Sequence, residues 1–283
     1  MPQFDRYAES GDREHAAALH PRSYRGPRHL SDRAPILLAI EPVILAPVLL
    51  AIETAGSTCS AAVVGNGALR AAETRAMRHG HAEVLFPMIE RVMQEAGLAP
   101  AQLDAVAVAT GPGGFTGIRV GLAAAHGIAL ALGARLVGIT SFRAVAARVA
   151  GIGESECDSL LVALDSRRAD LYVQLFARGS GSPLAAPQAV LEGGLDDYLA
   201  QLIAEIPTTR LLVAGDACER AASALAGRIG CIIVGDSAPN AQDVAAAALS
   251  ELRSGAMAGP VRPLYLRPPD VTVPKPRMVA RSR

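Results

Sequence analysis

Four groups of residues in this chain have the types and spacing to do chemistry. The first is the turn Gly111-Pro112-Gly113-Gly114. Its glycines permit backbone angles that other residues avoid, and it opens a helix, so free N–H groups at a positive helix end could cradle phosphate. The same turn serves equally well as a close-packed joint between strand and helix. The second is Glu53-Thr54 at the end of an apolar strand, where an acid could hold Mg²⁺ on a nucleotide or tighten its own turn by accepting N–H groups. The third is His79-Gly80-His81, two imidazoles without a third ligand at metal spacing, which read more simply as solvated or capping groups at a helix start. The fourth is Asp165-Ser166-Arg167-Arg168, a charged turn able to hold an anion, with Asp216 as a second acid placed between strand and helix. No Ser/His/Asp or Cys/His constellation stands out.

The elements that must position these groups follow from periodicity. Strands are expected at 48–53, 59–65 and 68–75, with Asn66-Gly67 as a type I′ hairpin turn. Leu85, Met88, Ile89, Val92, Met93 and Ala96 recur at helical spacing, so 81–96 is a helix, kinked by Pro87 and stopped by Gly97. A strand at 103–109 leads into the glycine turn, and a helix capped by Thr116 runs to Leu132 before a strand at 135–139. The second half repeats the theme: helix 141–149, strands 160–165 and 171–177, helix 195–204, strand 210–214, a helix to Arg228, strand 231–234 and a helix over 241–253. Two mixed α/β halves, each opening with a strand meander, describe a two-lobed actin-like, sugar-kinase or heat-shock-ATPase (ribonuclease H-like) fold. The lobes are 48–150 and 151–259, with a Pro/Arg-rich tail over 260–283.

Composition narrows the functions. The chain is 51% hydrophobic and 19% charged, with Lys+Arg equal to Asp+Glu. A zero net charge and the absence of tryptophan argue against a strong nucleic-acid grip by this chain alone. Cys59, Cys157, Cys218 and Cys231 are scattered and form no C-x-x-C pair, which fits buried thiols in a reducing cytoplasm. Residues 1–33 are polar and without period, as in disordered segments. Glu41, Pro35, Pro42 and Pro47 break the apolar run of 34–52, which argues against a membrane span. Leu37-Leu-Ala-Ile-Glu41 is repeated at Leu49-Leu-Ala-Ile-Glu53, and only the second copy leads into the α/β pattern. The domain is expected to start near Val48, leaving 1–47 as an extension.

Two apolar surfaces look suited to a partner. Leu85, Phe86, Ile89 and Met93 widen the face of the 81–96 helix. Gly117, Gly121, Ala124 and Ile128 make a smooth face on the helix after the glycine turn. Both sets serve equally as cover for the sheet.

Taken in order, Leu49-Leu-Ala-Ile-Glu-Thr54, His81-Ala-Glu-Val-Leu-Phe-Pro-Met-Ile89, Gly111-Pro-Gly-Gly-Phe-Thr-Gly-Ile-Arg-Val-Gly121, Gly138-Ile-Thr-Ser141, Leu164-Asp-Ser-Arg-Arg168 and Tyr265-Leu-Arg-Pro268 closely resemble the bacterial TsaB (YeaZ) family. The resemblance covers 48 to 268. It implies a role in making threonylcarbamoyladenosine in tRNA as a non-catalytic scaffold of TsaD, the transferase, with a TsaE-like ATPase joining and tRNA reached through the complex. It implies pairing with TsaD through the two helices above, allows a homodimer when alone, and requires no cofactor, while leaving room for weak ATP or ADP binding at Glu53, Thr54, Gly111, Gly113 and Gly114. TsaD itself looks like a distant relative of this chain, and it binds metal with a Gly-x-x-His-x-x-x-His run. Here Ser141 and Val145 stand at those histidines, and valine cannot bind a metal. The family's usual Asp is Glu53 here. Two other classes compete: an ATP-dependent phosphotransferase using Asp165 and Asp216, and a glycoprotease-like metallopeptidase.

Overall fold

The computed structural model of the chain describes residues 46–152, 157–178, 181–206, 210–235, 238–255 and 259–267. Most of the expected extension, and the tail cations Lys275, Arg277, Arg281 and Arg283, lie outside them.

Strands β1 (Leu49–Glu53), β2 (Thr58–Gly65) and β3 (Ala68–Ala76) form an antiparallel meander. Asn66 and Gly67 both take positive φ, 55° and 75°, as the type I′ turn requires. Strands β4 (Ala105–Ala109) and β5 (Arg135–Ile139) add in parallel beside β1, so the sheet order is β3-β2-β1-β4-β5. Parallel neighbours need long crossovers, supplied by helices α1 (His81–Ala96) and α2 (Phe115–Leu132). All five residues of β1 and of β4 are buried. Side chains alternate between sheet faces, so both faces must be covered. Helix α2 packs over β1, β4 and β5 beside α1, and α6 (Ala241–Arg253) packs over the same strands. Two helices over the same strands occupy opposite faces.

The second sheet repeats this plan. β6 (Ser159–Asp165), β7 (Asp170–Ala177) and β8 (Gln188–Leu191) are the meander, and β9 (Arg210–Ala214) and β10 (Gly230–Val234) lie parallel beside β6, in the order β8-β7-β6-β9-β10. Helices α3 (Ser141–Arg148), α4 (Leu195–Ala204) and α5 (Cys218–Ala224) complete the fold. This duplicated topology is the two-lobed, ribonuclease H-like arrangement that the sequence suggests.

Three expectations need correction. β8 falls between the expected strand 171–177 and helix 195–204, where no element is expected, because its four residues are too few for an alternation to register. The N-cap of α2 is Gly114 rather than Thr116, since helical geometry already begins at Phe115. Helix α6 follows the second lobe in sequence but builds the first lobe's core, through Val244, Ala248 and Leu249. Helix α2 is long and apolar enough to cross a membrane by length and composition, yet here it buries Ile118, Leu122, Ala125 and Ala129 against the first sheet.

Candidate functional site

The fold brings three of the four chemical groups together. The ends of β1 and β6, the glycine turn and Asp216 line one small cleft between the lobes, with Gly56, Pro112, Gly114, Ser166, Arg167 and Asp216 around it. Its volume is about 40 Å³. Small-molecule sites usually measure about 300–1,000 Å³, larger than this cleft.

Glu53 closes the first wall. Its carboxylate is fully buried, and Oε1 accepts from the backbone N–H groups of Ala55 at 2.5 Å and Gly56 at 2.8 Å. Those bonds tighten the turn from β1 to β2. Oε2 is buried and has no partner among the described residues. Burial pushes the carboxyl up to about 7 against these two bonds, with Asp243 adding to the rise. Glu53 is therefore a turn-former whose proton is favoured by burial.

The glycine turn packs directly on this hairpin. A Cβ at Gly113 would sit 2.1 Å from the Ala55 carbonyl oxygen, at Gly117 2.0 Å from that of Thr54, and at Gly121 2.3 Å from Thr54 Oγ1. The Thr54 hydroxyl donates to the Gly117 carbonyl at 2.8 Å. The N–H of Gly114 donates to Ala55 O at 2.8 Å, so a group that a phosphate cradle would use is engaged by the hairpin. Gly111, with φ 98°, accepts from the Ser141 N–H, and the Ser141 hydroxyl donates to Pro112 O at 3.2 Å. Ser141 is thus a staple for the turn. Val145, at the other position compared with a histidine, is fully buried in the apolar cluster between α3 and the second sheet.

The second wall is the β6–β7 turn. Asp216 accepts from the Asp165 N–H at 2.8 Å, and burial raises its carboxyl. Asp165 accepts from Arg167 N and pairs with Arg220 at 3.4 Å. Both acids proposed for phosphotransfer are thus engaged in shaping the turn. Arg167, at φ 60°, lies close enough to Glu53, Asp216 and His81 to act on all three electrostatically.

Sequence reasoning missed the return of the chain. Residues 259–267, expected to belong to a tail, run across both lobes beside the glycine turn. Leu264 N donates to Thr110 O at 2.8 Å, Tyr265 stacks on Phe115 at 4.9 Å between centroids, and Arg267 pairs with the buried Asp170 at 2.9 Å. Arg119 lies 3.7 Å over the Phe115 ring and donates to the Tyr265 hydroxyl. The Tyr265-Leu-Arg string was the available signal.

The histidine pair does not join the cleft as a ligand set. Gly80 caps α1 at φ 82°, and His81 is buried with Nε2 unpartnered and its basicity lowered chiefly by burial. No group of three or more His, Cys, Asp or Glu able to hold a metal occurs among the described residues. Cys59, Cys157 and Cys218 are buried and Cys231 is half-buried, all as free thiols.

The apolar partner faces also need correction. Leu85, Ile89 and Met93 point into the core, and so do Gly117, Gly121 and Ala124, while Ile128 is half-buried. Only Phe86 of that set is well exposed, at 51%. The outward stripe of α2 is instead Arg119, Ala123, His126, Gly127 and Leu130; Leu130 is 86% exposed and a Cβ at Gly127 would meet nothing within 4 Å. The glycine face was assigned to the wrong side because small residues permit close approach equally to a partner helix or to the chain's own hairpin.

Comparison with known proteins agrees with this fold. The family model TsaD, tRNA N6-adenosine threonylcarbamoyltransferase, matches residues 74–191. The tRNA threonylcarbamoyladenosine biosynthesis protein TsaB of Haemophilus influenzae is 32% identical over 130 residues, 46% of this chain and 54% of that protein. The uncharacterized protein Rv3421c of Mycobacterium tuberculosis is 30% identical over 224 residues, 78% of this chain and 92% of that protein. The chain spans about half the length of the TsaB relatives it matches. The solved structure of YeaZ from Pseudomonas aeruginosa superposes with a TM-score of 0.63 at 23% identity, over 78% of this chain and 100% of that one, and shares the fold.

Proposed function

Because this chain belongs to the TsaB (YeaZ) family, we propose that it is a non-catalytic subunit in the synthesis of threonylcarbamoyladenosine in tRNA. It pairs with a TsaD-like transferase and holds it in its working arrangement. The observation that carries the reading is that Phe86 on α1 and Leu130 on α2 stand exposed, with Ala123 and Gly127 as exposed small residues on the same side of α2 as Leu130. Burying one large apolar side chain contributes roughly 1.5–3 kcal/mol, so two such anchors give a docking face real weight. Small residues such as Ala123 and Gly127 allow close helix contact. The match of 74–191 to the TsaD model supports a partner built on the same plan, able to offer an equivalent helix pair.

The cleft plays a supporting part in this reading. Its glycines and Glu53 seat α2 on the sheet and so set the docking face. No nucleotide is needed for pairing, and ATP or ADP binds weakly, after the cleft opens. A TsaE-like ATPase joins the pair, and tRNA is reached through the complex, in the cytoplasm. Without its partner the same face forms a homodimer. Affinity capture from extract of the native cell tests the proposal: it expects a TsaD-like transferase with wild-type chain and much less with Leu130→Glu. Equal recovery of the transferase by both forms overturns the assigned face, and its absence from both overturns the function.

A further inference from the structure

The second lobe holds a larger cavity at the opposite end of its sheet from the cleft. The cleft meets β6 at Leu164 and Asp165, the last residues of that strand, whereas this cavity meets it at Ser159, the first, and at Asp158 just before. Its volume is about 390 Å³, inside the usual range of about 300–1,000 Å³ for small-molecule sites. The wall is apolar. Leu175 comes from β7, Leu184 from the crossing to β8, Leu202 from α4, and Ile206 from just beyond that helix. The crossing is tied to β7, since Leu184 N donates to Leu175 O at 2.8 Å and Gln174 Nε2 to Ala185 O at 3.3 Å. Leu184 is nevertheless 47% exposed, so the wall is open to solvent.

The charged groups of this cavity are both acids. Asp158 and Glu205 line it, both are exposed, and neither pairs with a cation among the described residues. Glu205 is also the C-cap of α4, a helix with no basic residue in its last turn, so the negative end of the helix dipole lies uncompensated on the same side. Arg210, at the start of β9, is already engaged by a neighbour. The adjoining segments 153–156 and 207–209 contain Glu154 and Glu156 and no basic residue, so they do not reverse the sign of the charge. An apolar wall flanked by two accessible, unpaired carboxylates calls for a hydrocarbon body that carries cations.

We propose that this cavity binds a short aliphatic diamine. Its methylenes lie on Leu175, Leu184, Leu202 and Ile206, and its ammonium ends donate to the carboxylates of Asp158 and Glu205. Binding joins the end of α4 to the start of β6 and so stabilises the second lobe. The test uses the full chain and 1,5-diaminopentane, with glutarate as the probe of equal carbon count and opposite charge. Methyl NMR shifts at Leu175, Leu184 and Leu202, followed through a titration, and the melting temperature are the readouts. The diamine is expected to move the shifts saturably and to raise the melting temperature, and glutarate to do neither. Asp158→Asn and Glu205→Gln change exposed side chains, so the fold is kept, and each should weaken binding by up to about fivefold, the size of one solvent-exposed charge pair. Ala185→Leu, which fills the cavity and keeps both acids, should abolish the response. No shift in the wild-type chain, an equal response to glutarate, an undiminished affinity in both acid variants, or an undiminished response in Ala185→Leu overturns the proposal.

Discussion

Two glycines six residues apart on α2 make opposite predictions from the same chemical change. Gly121→Ala places a methyl 2.3 Å from Thr54 Oγ1 and 3.5 Å from Val108 Cγ2. The first distance is far inside contact, so the Thr54 side chain must rotate or the helix must lift. Rotation breaks the hydrogen bond to the Gly117 carbonyl, a loss of roughly 1 kcal/mol. Overpacking of a tight core adds roughly 1–3 kcal/mol. Alanine returns up to about 1 kcal/mol through its better helix propensity. The net expectation is a destabilisation of about 1–3 kcal/mol. Gly127→Ala keeps the propensity gain and meets nothing within 4 Å, so it should stabilise the chain by up to about 1 kcal/mol. Urea unfolding of both variants against wild type, analysed by linear extrapolation, reads the difference. A Gly121→Ala chain as stable as Gly127→Ala refutes the inward placement of the Gly117–Gly121 face.

Other consequences follow from single side chains. Glu53 keeps its proton in the folded state up to about 7, against 4.5 for the solvated carboxyl of the unfolded chain. Between those values the native chain binds more protons than the unfolded one. This group's contribution is therefore fully present below pH 4.5 and is lost as pH rises through 7, by about 3 kcal/mol in all. Glu53→Gln should flatten that slope in stability measured against pH, and an unchanged slope contradicts the assignment. Arg267→Ala leaves the carboxylate of Asp170, buried with Oδ2 already unpartnered, without its guanidinium. The loss should be about 2 kcal/mol, less than for a fully enclosed pair because Arg267 is partly exposed, and thermal melting checks it. A melting temperature equal to wild type would show that residues 259–267 do not tie the lobes.

Much of the fold is legible because local signals and tertiary demands agree. Helix α1 ends where Gly97 turns left-handed, α2 ends likewise at Gly133, and the Asn66-Gly67 turn pairs β2 with β3. The inner faces of α1 and α6 are the apolar positions at helical spacing. What the sequence could not settle is direction at a distance. Gly117 and Gly121 mark a close approach, but whether Thr54 or another protein approaches is decided by the end of β1, more than sixty residues earlier. Phe86 and Leu130 fall outside the core period of their helices, and that phase break is the readable sign of an outward face. The role of 259–267 was hidden because proline-rich, basic composition resembles a solvated tail, while its anchors Leu264, Tyr265 and Arg267 act through single contacts with no period. The acids at 165 and 216 looked catalytic by position, yet each holds a backbone N–H of the same turn.

The most direct test of the proposed pairing is the affinity of the purified chain for a TsaD-like transferase, measured by calorimetry for wild type and for Leu130→Glu. Leu130 is 86% exposed, so the substitution leaves the core untouched, and equal melting temperatures will verify this. Replacing a central apolar anchor by a charge should cost about 2 kcal/mol or more, a weakening of about thirtyfold. Equal affinity for the two forms would contradict docking through the outward face of α1 and α2.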